Sequence, residues 1–456
     1  MRSPGDILLV ACYELGHQPL AVAWPAAFLE RAGYRPATMD VSVEPFDPER
    51  VRRATLVAIS VPMHTALRLG VGVAERVRRE NPRAHICFYG LYATLNAEYL
   101  LAHDADSVLG GEIERALVDL AQRLERKHGD GRPGPGVVLE KLAFVTPKRS
   151  DLPSLKKYTH LERGDGRLEL TGAVAASRGC KHRCRHCPIP PVYDGRFFVV
   201  DRDVVLSDVR QLVESGATHV TFNDPDFLNG PRHAMEVARA LHREFPAVTF
   251  DVTAKIEHLL RHQAYLDELG ELGCLFIVSA VESLSDTVLA HLDKGHTKAD
   301  VITALQLVRS AGITLRPTWV PFTPWTTLDD YRAILAFVEN EALIDAVDPV
   351  QYSIRLLVPP GSLLATSAAM TPYLGPLVEA DFYYRWVHPD ERMDRLQQSV
   401  AALVAEAAAR REDAALTFGR VSGLADEAAS VPSRPRPPAP PTDRRRAPRL
   451  SEAWFC

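Results

Sequence analysis

The sequence predicts an α/β protein built as two successive strand–helix units, and three observations predict it. Residues 1 to 125 alternate short apolar runs of strand length with amphipathic stretches of helical period. The same alternation resumes at Arg167 and continues to about Leu364. At the head of that second unit, Cys180, Cys184 and Cys187 crowd one short loop directly after the run Leu168 to Ala176. Length and composition agree: 456 residues suffice for two or three domains, and an apolar content of 46% supports sizeable cores.

In the first unit (1–128) the strand candidates are Ile7 to Ala11, Arg35 to Val41, Leu56 to Ser60, His85 to Tyr89 and Ser107 to Gly110. Helices are expected between them, including Ala21 to Ala32 and Gly70 to Glu80, with a last one from Glu112 to Arg126. Strands alternating with helices in this way form an open, doubly wound parallel sheet. Ligands of such sheets lie beyond the carboxyl ends of the strands. Residues 129–166 read as a linker and connecting arm. They open with Gly129-Asp130-Gly131-Arg132-Pro133-Gly134-Pro135-Gly136 and include an extended stretch from Lys148 to Tyr158.

The second unit (167–365) offers strands at Arg167 to Ala176, His219 to Asn223, Thr249 to Ala254, Leu275 to Val281, Thr314 to Val320 and Gln351 to Val358. Residues 366–430 are Ala- and charge-rich and read as a small helical appendage. Residues 431–456 are expected to be a disordered tail, because a Pro- and Arg-dense composition buries too little apolar surface to fold.

Composition also excludes some classes. A net charge of -5 gives no general attraction to nucleic acid or an anionic membrane. No apolar run reaches the length of a membrane span, and the first residues do not read as a signal peptide. Seven cysteines, three of them in one loop, fit a reducing cytoplasm better than a disulfide scaffold. Cys12, Cys87 and Cys274 lie in or beside apolar runs and read as core. The run Arg444-Arg445-Arg446 reads as solvated tether.

The chemistry concentrates in Ser177-Arg178-Gly179-Cys180-Lys181-His182-Arg183-Cys184-Arg185-His186-Cys187-Pro188. Three thiolates spaced C-x3-C-x2-C can ligate three irons of a 4Fe–4S cube and leave the fourth iron open. Clusters usually take four protein thiolates, and a structural zinc site also wants four ligands. This loop resembles that of the radical S-adenosylmethionine (SAM) superfamily. The resemblance implies a partial (β/α)6 barrel, SAM chelated on the open iron, and reductive cleavage of SAM to a 5′-deoxyadenosyl radical.

Further along the chain the resemblance implies SAM-side roles residue by residue. His186 stands where the family usually has an aromatic residue near the adenine. His219-Val220-Thr221-Phe222-Asn223-Asp224-Pro225-Asp226 replaces the common Gly-Gly-Glu turn, with Asn223 and Asp224 as candidate SAM-side groups. Both Asp224 and Asp226 could cap the next helix; for Asp226 that reading stands level with a functional one, and for Asp224 the functional one is preferred. Ser279-Ala280-Val281-Glu282-Ser283 is similar to the family's fourth-strand motif. It implies Glu282 on the ribose hydroxyls and Ser283 at the SAM carboxylate, and the run Leu292-Asp293-Lys294-Gly295-His296 also matches. Arg316 could pair with the SAM carboxylate or form a structural salt bridge. The stretch Arg316 to Thr327, dense in Pro and aromatics, would shape the mouth of the site, and Tyr352 and Arg355 are substrate-side candidates.

The first unit resembles the domain that binds cobalamin in cobalamin-dependent radical SAM proteins. The carriers are Glu14-Leu15-Gly16-His17-Gln18-Pro19, Gly90-Leu91-Tyr92-Ala93-Thr94 and Asp106-Ser107-Val108-Leu109-Gly110-Gly111-Glu112. The cobalt-ligating Asp-x-His-x-x-Gly motif is absent, so His17 and His64 are candidate ligands only. A sheet domain without cobalamin stays open. The final Trp454-Phe455-Cys456 resembles radical SAM proteins that end in Cys-Sec-Ala-Glu-Pro or Cys-Cys-Ala-Glu-Pro, cut at the first Cys. The expected protein is a cytoplasmic enzyme with a 4Fe–4S cluster, SAM and, if that domain is functional, cobalamin. It would take electrons from an external flavodoxin- or ferredoxin-type donor and act on a small-molecule or peptide substrate. An Fe–S electron carrier is the alternative of another class.

Overall fold

The computed structural model describes residues 1–126, 136–432 and 446–452. The first sheet is formed by β1 (Ile7–Ala11), β2 (Ala37–Asp40), β3 (Leu56–Ser60), β4 (His85–Tyr89), β5 (Ser107–Gly111) and β6 (Gly136–Val138). All six are parallel in the order β2-β1-β3-β4-β5-β6. Both faces are covered. Leu8, Val10, Val57, Ile59, Ile86 and Phe88 enter one core; Ile7, Leu9, Ala11, Leu56, Ala58, Cys87 and Tyr89 enter the other. Burial on both faces is why these strands read as continuous apolar runs and not as alternation. The strand order reverses between β1 and β3, and the loops beyond that point are Cys12–Gln18 and Val61–His64.

The second sheet begins with β7 (His160–Glu162) and β8 (Leu168–Val174). A short ribbon, β9 (Ser177–Gly179) with β10 (Phe197–Val199), frames the cysteine loop. Then come β11 (His219–Phe222), β12 (Thr249–Thr253), β13 (Cys274–Glu282) and β14 (Thr314–Trp319), each parallel to its neighbour. Val174, Val220, Phe222, Phe250, Val252, Ile277 and Leu315 pack outward into one core with the helices. Alternation puts Thr171, His219, Thr221, Asp251 and Arg316 on the opposite, concave face. Three of them satisfy one another: His219 Nε2 lies 2.9 Å from Asp251 Oδ1, and Thr221 donates to the same oxygen at 2.7 Å.

Four segments differ from the sequence expectation. Gly136–Val138, expected to be linker, pairs with β5 as a sixth strand. Residues 351–358 form a 3-10 turn (Pro349–Ser353) and an irregular stretch, leaving the sixth barrel strand as a single bridge between Phe322 and Arg355. The 366–430 region holds a hairpin, β15 (Leu374–Val378) and β16 (Tyr383–Trp386), ahead of helices Glu391–Ala409 and Ala414–Ala428. The hairpin closes an apolar cluster with Val288, Leu292, Leu356, Val358 and Met370. Finally, residues 446–452 of the expected disordered tail return to the sheet. There β17 (Arg449–Leu450) pairs antiparallel with β7. Linker residues 129–135 and tail residues 433–445 and 453–456 lie outside the described residues. Among the described residues, no helix is long and apolar enough to cross a membrane.

Candidate active site

The cysteine loop leaves the carboxyl end of β8 and is anchored before it begins. Asp224, just after β11, accepts from the Ala176 N–H at 2.9 Å and from the Ser177 hydroxyl. Burial pushes its carboxyl up to about 7, against the pull of those donors. Gly179 has φ +73°, and a Cβ there would collide with the Arg196 carbonyl and the Tyr193 ring, so glycine is required at this step. Asn229 accepts from the Lys181 N–H at 3.3 Å, and the Arg185 N–H donates to Leu292 O at 2.9 Å. The loop is thus held from the ends of β8 and β11 and from the helix Asp286–Leu292 after β13.

Cys180 and Cys184 are buried and Cys187 is half-buried. Burial and the neighbouring thiols push the Cys180 and Cys187 thiols up. Metal-bound sulfur must be thiolate, so unloaded thiols in this setting are protonated and iron binding releases their protons. Lys294, itself buried, lies near Cys184 and Cys187; burial opposes its charge, and Glu282 is the main group that raises its pKa. Among the described residues, one trio of candidate metal-ligand atoms gathers within 4.8 Å, and it is His182, Asp226 and His258.

Glu282 ends β13 at a register shift, with φ +67°. A non-glycine residue in that region is strained, a condition that concentrates at functional sites. Its Oε1 lies 3.1 Å from His186 Nε2 and 3.3 Å from Lys294 Nζ. Burial opposes its charge, but Lys294 and His186 outweigh burial and hold the carboxyl down at about 2. The structure therefore joins His186, the residue before the last cysteine, to Glu282, and adds Lys294. Asp293, at φ +55°, closes the helix Asp286–Leu292 and turns Lys294 inward.

The other sequence candidates fall as follows. Asn223 is half-buried beyond β11, its N–H donating to Val174 O at 2.7 Å. Ser283 is buried and accepts from the Ser285 N–H at 3.1 Å. Arg316 is not brought to Glu282. It pairs with Val278 in register, whereas Glu282 pairs with Trp319, three residues further along β14. Arg316 Nη2 lies 3.0 Å from Asp348 Oδ2 and Nη1 3.3 Å from Pro448 O, so it takes the salt-bridge role. Arg355 pairs with Asp394 at 2.6 Å and covers the Trp386 ring, while Tyr352 is buried in the helix-side core. Asp226 caps the turn Phe227–Asn229 through the Leu228 N–H.

The carboxyl edge of the first sheet meets this site. Arg178 lies 3.1 Å from Glu112 and 2.5 Å from Glu114, beneath the rings of Trp24 and Phe144. Tyr193 donates to Glu112 at 2.9 Å. Arg149 bridges the units from the connecting arm. It forms a bidentate pair with Asp208 at 2.5 and 2.7 Å and donates to Gln18 at 2.8 Å. Glu14 caps the helix Leu20–Arg31 through two N–H groups. The two candidate cobalt ligands are placed as follows. His17 is buried near Asp251 and His219, and burial lowers its pKa to about 4. His64 Nε2 is 2.7 Å from Asp381 O. Sequence reasoning missed Arg149, Arg178 and Lys294. The signal for Lys294 was its place in the motif run; for the two arginines there was none.

Residues 174–331 match the family model described as the radical SAM superfamily. That segment resembles a radical SAM enzyme domain, a family that uses a 4Fe–4S cluster and SAM. Among curated proteins it is 28% identical over 298 residues to the ribosomal protein uS12 methylthiotransferase RimO of Porphyromonas gingivalis. That alignment covers 54% of this chain and 66% of the relative, just under two thirds of its length. In fold it resembles the radical SAM methyltransferase TsrM from Kitasatospora setae, with TM-score 0.61, 17% identity, and 74% and 71% of the two chains covered. It also resembles the cobalamin-dependent SAM radical enzyme OxsB, with TM-score 0.66, 15% identity, and 86% and 66% covered.

Proposed function

We propose that this protein cleaves SAM reductively at a 4Fe–4S cluster held by Cys180, Cys184 and Cys187. We further infer that it uses cobalamin, seated between its two units, to methylate or rearrange a small-molecule or peptide substrate at an unactivated carbon. The carrying observation is the placement of the three thiols beside the Glu282–His186–Lys294 group, directly opposite the carboxyl edge of the first sheet. When bound, the cluster supplies one electron to SAM and cobalamin supplies a methyl carrier; the chain supplies position and exclusion of water. Glu282, kept ionised, is suited to accept from ribose hydroxyls. Lys294 offsets the thiolate charge. The likeness to TsrM and OxsB supports the cobalamin reading. With His17 buried and His64 Nε2 on Asp381 O, this reading takes no cobalt ligand from either residue.

The test is anaerobic reconstitution with iron and sulfide, then dithionite and SAM, with and without cobalamin, and 5′-deoxyadenosine measured by mass spectrometry. Deoxyadenosine that disappears in Cys184→Ala, together with a corrin retained through gel filtration, supports the reading. A full cluster that yields none, and whose paramagnetic resonance signal ignores SAM, points to an electron carrier. The finer likeness to proteins continuing with selenocysteine or a second cysteine is tested by the codons that follow Cys456.

A further inference from the structure

Beside the cysteine loop, three side chains from three separate elements converge and leave two buried polar atoms, Asp226 Oδ2 and His258 Nδ1, without a hydrogen bond. His182 lies between two of the cluster cysteines, Asp226 in the turn after β11, and His258 on the helix Ile256–Arg261 after β12. One nitrogen from each ring and one oxygen of Asp226 lie within 4.8 Å of one another. His182 Nε2 is 3.2 Å from His258 Nε2 and 3.6 Å from Asp226 Oδ2, and His258 Nδ1 is 2.7 Å from that oxygen. Asp226 is 0% exposed and His258 4%.

Asp226 Oδ1 is fixed by the Leu228 N–H, which leaves Oδ2 aimed at the two rings. Yet neither Oδ2 nor His258 Nδ1 makes a hydrogen bond, despite their approach. Buried polar atoms left unsatisfied cost about 1–3 kcal/mol each, and a cation between them would remove that cost. Two ligands about 2.1 Å from one ion stand about 3.0 Å apart at a right angle and about 3.4 Å apart in a tetrahedron. With His258 Nδ1 as its ligand atom, the two separations to Asp226 Oδ2, 2.7 and 3.6 Å, fall on either side of those values. Glu257 Oε2, 3.6 Å from His182 Nδ1, adds negative charge that Lys255 Nζ, 3.6 Å from the same oxygen, partly offsets. Two imidazoles and one carboxylate are the donor set of divalent transition ions such as Zn²⁺ and Fe²⁺.

We propose that His182, Asp226 and His258 bind one divalent transition-metal ion, separate from the iron–sulfur cluster, which staples the cysteine loop to the turn after β11 and the helix after β12. The site needs no SAM and no turnover, so it stands or falls apart from the proposed reaction. Iron-loaded protein is equilibrated with buffered Zn²⁺ and desalted, zinc and iron are counted by mass spectrometry, and the zinc ligands are read by K-edge X-ray absorption. The expected result is one zinc per chain with a nitrogen and oxygen shell free of sulfur. His258→Ala and His182→Ala should each lower zinc affinity at least about tenfold while iron content is kept. Asp226 is left unchanged because it also caps a turn. No retained zinc, a sulfur-containing shell, or equal zinc in wild type and both variants overturns the proposal. If one variant fails to fold, the other and the absorption spectrum decide.

Discussion

Replacing Lys294 by methionine removes the cation from a buried pair while keeping most of its volume. Its ammonium is 3% exposed and the Glu282 carboxylate 8%, with 3.3 Å between them. Removing one partner of such a pair leaves an uncompensated buried charge and costs about 3–5 kcal/mol. For a folding unit of the barrel's size, about 2–4 °C of melting temperature is lost per kcal/mol, so the barrel transition should fall by about 6–20 °C. The measurement is differential scanning calorimetry on anaerobic protein with and without the cluster. Lys294→Met combined with Glu282→Gln should recover at least about half of the loss, because the stranded charge goes with its partner. The pH dependence has a definite sign. The folded pKa of Glu282 is depressed to about 2, so its stabilisation is present above the unfolded carboxylate value and is lost as pH falls toward 2. The gap between wild type and Lys294→Met should therefore hold from pH 6 to 8 and close in acid. In cluster-loaded protein, loss of the cation beside Cys184 and Cys187 should also shift the reduction potential negative. A fall of under about 3 °C, which corresponds to roughly 1 kcal/mol, or a double variant no more stable than the single one, would refute the reasoning.

Arg149→Met strands Asp208, which is 3% exposed, and should cost about 3–5 kcal/mol; faster hydrogen exchange around Gln18 would show that the two units loosen together. Asp224→Asn should flatten the pH profile of stability. Burial raises the folded pKa of Asp224 to about 7, so its contribution is full below the unfolded value near 3.9 and is lost as pH rises through 7. Melting curves at pH 5 and pH 8 check this, with the wild type falling more across the interval than the variant. Deleting residues 446–456 removes β17, the Arg449 pair with Glu162 at 2.6 Å and the Pro448 carbonyl at Arg316. Hydrogen exchange should rise along β7, with a modest loss of about 1–2 kcal/mol from exposed contacts.

The strand–helix alternation of both units could be read from the chain because buried parallel strands leave short apolar runs between amphipathic helices. The cysteine loop could be read because its spacing is local. What escaped sequence reading depends on contacts between distant segments. Gly136–Val138 becomes a strand only because β5 offers it an edge, and Arg449–Leu450 only because β7 does. Gln351 to Val358 carried strand-like residues, but Pro349 and a helical turn left them a single bridge. At the site, Glu282 and His186 were chosen from separate motifs, and the structure joins them. Arg316 was chosen for its strand, yet a strand specifies only which face a residue takes. Its height along β14 and the nearness of Asp348 decide its partner.

The contacts between the two units bear on how a shared ligand would be held. Arg178 directly precedes Gly179 and Cys180, and its guanidinium reaches two carboxylates of the first sheet while lying under two aromatic rings. A planar, permanently charged fork can satisfy all four neighbours at once, which a lysine cannot. Tyr193, whose ring also limits residue 179 to glycine, donates to the same Glu112. One short stretch thus fixes the cysteine loop and registers it against the carboxyl edge of the first sheet. Movement of that edge must pull on the backbone immediately before Cys180. A ligand bound between the units would press on both walls, and its binding energy could reach the cluster loop through Arg178 without a separate moving part.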